Sequence, residues 1–208
     1  MKFRFAFAGA AVLSAALAIC SFSAWPQNPP RDAWASKYFP QAFDKLFPIK
    51  RAEGDFIAVR AHRSNLNDLR EYSIVFENAQ DSKSLRAVVR EAEASSLYQQ
   101  LAALHAAHPE ASYDQLKSDL KVEVWTLTPE RCPAVSTQFK AFENVQFTRP
   151  RDDDEPEANP VLYEFNESLA GGGSVLEYVE NRSLPRWTRA THAAFDACIA
   201  SGHTTAAK

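Results

Sequence analysis

The sequence predicts an α+β domain: a mainly antiparallel sheet with helices packed on one face, one disulfide, and a cleaved signal peptide ahead of it. Three observations carry that prediction. Strand-like and helix-like stretches follow one another irregularly, not as a βαβ alternation. The N-terminus has the layout of an export signal, and two cysteines, Cys132 and Cys198, remain beyond it.

The leader reads "MKFRFAFAGAAVLSAALAICSFSAW". Lys2 and Arg4 form a basic head, Phe5 to Ile19 an apolar run, and Ser21, Ser23 and Ala24 a small-residue exit. The run is shorter than the roughly 20 residues that span a bilayer, and "WPQNPPRD" breaks any helix after it. Residues 1–24 are therefore read as a signal peptide, 25–50 as an aromatic-rich segment, 51–202 as one α+β domain and 203–208 as a disordered tail. "LAIC" at Cys20 also fits a bacterial lipoprotein signal except for Ile19, so a lipidated Cys20 stands as the alternative N-terminus. Both readings put the mature protein in the periplasm or outside the cell, with membrane contact only through a lipid on Cys20.

Export decides what the cysteines do. An even count in an oxidising compartment signals a bridge. Closing a loop of about 66 residues stabilises by roughly 4 kcal/mol in the chain-entropy model. A zinc site would want clustered Cys and His, which neither cysteine has. A reactive thiol at the helix start near Pro133 would be exposed to oxidation.

About 184 residues remain after the leader, enough for one domain with a core. In "RDAWASKYFPQAFDKLFPIK", Trp34, Tyr38, Phe39, Phe43 and Phe47 recur near helical spacing, which predicts two short helical turns interrupted by Pro40. "DFIAVRAHR" and "YSIVFEN" read as strands flanking the turn-like "SNLNDLR". The next stretch could be one long helix, but Leu85, Val88, Val89 and Ala92 share a different helical face from Leu97, Leu101 and Leu104. Ser96 and Gln99 also match a capping box. We therefore expect a strand over 85–93 and a helix over 97–107.

"SYDQLKSDL" gives a second short helix, "KVEVWTLT" a strand, and the stretch from Cys132 to about Phe142 a helix. "NVQFT" reads as a short strand and "RPRDDDEPEANP" as a loop. "VLYEFNES" and "SVLEYVEN" read as a hairpin turned by "LAGGG". In the last helix Trp187, Ala190, Thr191, Ala194, Phe195 and Cys198 recur at 3/4 spacing, with Gly202 as its cap. Cys198 then faces inward and can meet Cys132 if both helices pack on the same sheet.

Formal net charge is −3 with no basic stripe, which argues against nucleic acid as a partner. His105 and His108 end a helix beside Pro109 and lack a carboxylate one turn away, so no metal site and no cofactor are expected. His192 and Asp196 are i,i+4 neighbours that can orient an imidazole, without an assigned nucleophile. Asp152, Asp153, Asp154 and Glu155 are consecutive and precede Pro156, unlike the alternating ligands of a calcium loop. They read as a solvated loop that can engage a basic partner. "NES" at Asn166 and "NRS" at Asn181 matter only in a eukaryotic secretory pathway. No residues form a catalytic constellation. The expected role is that of a non-enzymatic macromolecule-binding protein of the envelope, inhibitor- or immunity-like, acting on another envelope protein. The alternatives are an envelope structural or assembly factor and a periplasmic hydrolase whose residues, His192 or His62 with a distant acid, converge only in the fold.

Overall fold

The computed structural model of the chain describes residues 32–49, 55–63, 70–78, 85–146, 161–167, 171–176, 183–202 and 205–206. Over these the elements run α1 (Ala33–Leu46), β1 (Asp55–Arg63), β2 (Tyr72–Asn78), β3 (Arg86–Ala92), α2 (Leu97–Ala107), α3 (Tyr113–Leu116), β4 (Val122–Leu127), α4 (Ala134–Ala141), β5 (Val161–Glu167), β6 (Gly171–Leu176), α5 (Ser183–Ala200) and β7 (Thr205–Ala206). Short 3-10 turns follow α3 and α4. The sheet has the order β6-β5-β1-β2-β3-β4-β7, and every neighbouring pair is antiparallel. β1 to β4 form a meander, and β5 returns to the free side of β1.

Alternation along the strands divides the sheet into two faces. Val59, Ile74 and Val89 are register neighbours and fully buried on one of them. There they pack with Val135, near the start of α4, and with Leu184, Trp187 and Phe195 of α5. The Phe76 ring lies 5.7 Å from Phe195 and 5.9 Å from Trp187.

Arg60 and His62 belong to the opposite face, and α1 covers them. The Phe43 ring stands edge-on to His62 at 4.8 Å, and the Arg60 guanidinium lies over Phe43 at 4.4 Å. Helices on one face only is therefore corrected: α4 and α5 cover one face, and α1, backed by α2, covers the other. The reason is in α1 itself, whose buried Ala35, Phe39, Ala42 and Phe43 form an apolar stripe that needs a surface to cover. Residues 32–49 of the aromatic-rich segment are thus part of the compact unit Arg31–Lys208.

α1 is also one helix and not two turns, with Pro40 inside it. Proline removes one backbone hydrogen bond, a loss of about 3 kcal/mol in a helix interior. Phe39 and Phe43, stacked at 5.5 Å on either side of Pro40, tie both halves to the same core and offset that loss.

Three boundaries differ from expectation. Val145 and Gln146 are not in a strand; Gln146 instead donates its amide to Ser183 Oγ at 3.1 Å, joining the end of the α4 segment to the start of α5. The glycines expected in the β5–β6 turn form the first residues of β6, with Glu167 opposite Gly171 and Phe165 opposite Gly173. The tail was expected to be disordered, yet Thr205 and Ala206 pair with Thr126 and Trp125. Gly202 does cap α5, at φ +74°, a conformation in which any Cβ is strained.

Cys132 and Cys198 are bonded, with Cα atoms 5.7 Å apart. Cys132 lies at the start of the α4 segment, fully buried, and its amide donates to Thr128 O at 2.8 Å. Cys198 lies near the end of α5. The bridge fastens the two helices of one face to each other.

Candidate functional site

The residues with most chemistry gather where β1, β2 and β3 end beside α2 and α5. Ala61 pairs with Tyr72 and Tyr72 with Glu91. One step on, His62 and Glu71 share the α1 face. The consecutive residues Arg70, Glu71 and Tyr72 serve both faces of the sheet.

On the α5 face, Tyr72 stacks on His192 with ring centroids 4.1 Å apart. His192 Nδ1 is 3.2 Å from Asp196 Oδ2, the helical pair expected from the i,i+4 spacing. Its Nε2 points the other way, 3.8 Å from Glu91 Oε2, shielded from solvent and without a hydrogen-bond partner. Glu91 Oε1 accepts from Arg70 Nη2 at 2.7 Å. Burial pushes the Glu91 carboxyl up from its ordinary value, and the charges of Arg70 and His192 pull it partly back. Glu91, His192 and Asp196 are the group among the described residues whose donor atoms lie close enough together, within 4.8 Å of one another, to hold a metal ion.

On the α1 face, Glu71 is fully buried. Its Oε2 accepts the Leu97 amide at 2.5 Å, and the neighbouring Tyr98 amide also favours its charged form. Ser96 Oγ accepts from Gln99 N, and Gln99 Oε1 accepts from Ser96 N, both at 3.2 Å. Of the four amides at the start of α2 that no helical carbonyl can reach, those of Ser96, Leu97 and Gln99 are thus satisfied. Desolvation pushes Glu71 up to about 7 against the pull of those amides and of His62. Neither Glu71 Oε1 nor His62 Nδ1 has a hydrogen-bond partner. His62 Nε2 lies 3.6 Å from Glu164 Oε1, whose other oxygen accepts from Arg60 Nη2 at 2.7 Å. Arg60 also pairs with Asp44 of α1 at 2.7 Å and donates to Phe47 O at 3.3 Å. The neighbouring His62 ring holds Glu164 below the usual carboxylate range, with Arg60 assisting against desolvation.

Sequence reasoning singled out His192, Asp196 and His62 and missed their partners. Glu91 sits near the end of β3 beside Arg90, and Glu71 just before β2, and neither position carried a signal that paired it with a histidine. Glu164 had none, because it meets Arg60 across 104 residues. His105 and His108 are not brought together as a pair. His105 Nδ1 lies 3.2 Å from Asp32 Oδ2, and its ring stacks on Trp34 at 4.7 Å. Trp34, Tyr38 and Tyr113 pack on one another in the same cluster, with Tyr38 and Tyr113 stacked at 4.9 Å. Asp152, Asp153, Asp154 and Glu155 lie outside the described residues.

No family model matches the chain, and no curated protein and no solved structure matches it. No helix among the described residues is long and apolar enough to cross a membrane.

Proposed function

We propose that the chain is an exported protein of the periplasm or extracellular space that acts by binding another macromolecule, as an inhibitor or immunity protein does. Residues 1–24 act as its signal peptide, with lipidation at Cys20 as the variant of that reading. Support for export is the bonded Cys132–Cys198 pair, since such bridges persist where thiols are not kept reduced.

The observation that carries the binding reading is the direction of the histidines. A general base must present a ring nitrogen to the reactant. His192 Nε2 and His62 Nδ1 are instead shielded from solvent, and their remaining nitrogens face Asp196 and Glu164. In both clusters the second ring nitrogen faces a carboxylate of the fold's own elements, Asp196 on α5 and Glu164 on β5. A hydrolase built on His192 is the second reading. It is favoured by the Asp196 contact at Nδ1, which orients an imidazole as catalytic dyads do. It requires Glu91 to move away from Nε2.

The acidic stretch Asp152 to Glu155 is the proposed contact loop, matched to a basic surface on an envelope protein. The test is affinity capture from envelope extract with the mature protein, repeated after deletion of Asp152 to Glu157. A partner retained by the full protein and lost by the deletion is expected. An unchanged set of partners removes the loop from the account.

A further inference from the structure

The cluster around His192 has a feature that an ordinary helix-surface ion pair lacks. Each of its two inner side chains is held by its outward atom. Arg70 Nη2 fixes Glu91 Oε1 at 2.7 Å, and Asp196 Oδ2 lies 3.2 Å from His192 Nδ1. The inward atoms, Glu91 Oε2 and His192 Nε2, are left facing each other at 3.8 Å. That gap is too long for a hydrogen bond. It is close to the spacing of two donors sharing one ion: ligands about 2.1 Å from a tetrahedral metal stand about 3.4 Å apart, and further apart at wider angles.

The surroundings fit such a role. The Tyr72 ring stacks on the imidazole and fixes its plane. A carboxylate on Nδ1 selects the tautomer whose lone pair is on Nε2, the arrangement that supports metal-ligating histidines. Glu91 is buried, whereas the Asp196 side chain is 50% exposed, so the cluster opens to water on the Asp196 side. One imidazole with carboxylates suits first-row transition metals better than calcium or magnesium, which prefer all-oxygen sets. The Arg70 guanidinium weakens cation binding, and the two carboxylates offset it.

We propose that Glu91 Oε2 and His192 Nε2, with solvent completing the coordination and Asp196 as the supporting carboxylate on Nδ1, form a binding site for a divalent first-row transition metal, with zinc as the reference ion. The site clamps α5 to β3 and does not depend on the macromolecule-binding reading.

The test is calorimetric titration of the mature protein, with its disulfide intact, with Zn2+ at neutral pH, alongside Co2+ followed by visible absorption. One ion per chain with micromolar affinity is expected, weakened at least tenfold by His192→Gln and by Glu91→Gln. The double variant His105→Gln/His108→Gln should bind as the parent does. Should Glu91→Gln fail to fold, Asp196→Asn at the exposed side and the ring-nitrogen resonances of His192 decide the matter. Zn2+ must shift the His192 resonances and leave those of His62 in place. Absence of Zn2+ binding, or binding that persists in His192→Gln and is lost with His105 and His108, overturns the proposal.

Discussion

The Glu71 carboxylate accepts the Leu97 amide at 2.5 Å from inside the fold, so a fully buried acid helps cap the helix that begins at Leu97. Burial raises its pKa from 4.5 to about 7 in the folded state. Between those two values the native protein binds more protons than the unfolded chain. The stability that a neutral Glu71 contributes is therefore complete below pH 4.5 and is lost as pH rises through about 7. The loss is on the order of 3 kcal/mol. Denaturant midpoints measured from pH 4.5 to 7.5 should fall across this range, and Glu71→Gln should flatten most of the fall. A residual slope of the same sign belongs to Glu91, whose carboxyl is also raised by burial. A midpoint that rises over this interval in the parent and is unaffected by Glu71→Gln contradicts the assignment.

Asp32 works in the opposite sense. Its Oδ1 caps α1 by accepting the Ala35 amide at 2.8 Å, which holds the carboxyl below its usual value. The cap's contribution is present above pH 3.8 and is lost as pH falls through the lower folded value. Asp32→Ala should cost about 1 kcal/mol at neutral pH, and Asp32→Asn clearly less. Chemical denaturation of the two variants side by side checks both the size and the order.

Arg60 joins α1 to the sheet through Glu164 and Phe43. Removing it leaves the largely buried Glu164 carboxylate without its main cation, so Arg60→Ala should destabilise by about 3 kcal/mol. The exposed partner Asp44 adds little to that figure. In the double variant Arg60→Met/Glu164→Leu no charge is stranded, and at least half of the loss should return. A double-mutant cycle in denaturant measures the coupling; additive losses would show that the pair does not act as a unit.

Local signals in the sequence carried most of the elements. The capping box of Ser96 and Gln99 marked the break between β3 and α2, and the structure starts that helix at Leu97. Alternation of apolar residues marked β1 and β4, the turn-like stretch before it marked β2, and the 3/4 recurrence from Trp187 to Cys198 marked α5. Where expectation and structure part, a distant partner decides. Pro40 reads as a helix breaker until Phe39 and Phe43 find His62 on a strand that lies later in the chain. Gly171 to Gly173 read as a turn until pairing with β5 recruits them into a strand. The histidines were visible and their carboxylate partners were not, because which acid meets which imidazole is set by sheet register.

The bridge between Cys132 and Cys198 joins the two helices of one face, and the account of an exported, stapled domain stands on it. Its removal by Cys132→Ser/Cys198→Ser should lower stability by about 2–4 kcal/mol. The most direct test is alkylation of the purified native protein under non-reducing conditions, followed by peptide mapping. The account predicts one linked peptide pair containing Cys132 and Cys198, with no label on either sulfur. Labelling of both thiols, with the two peptides recovered separately, would contradict it.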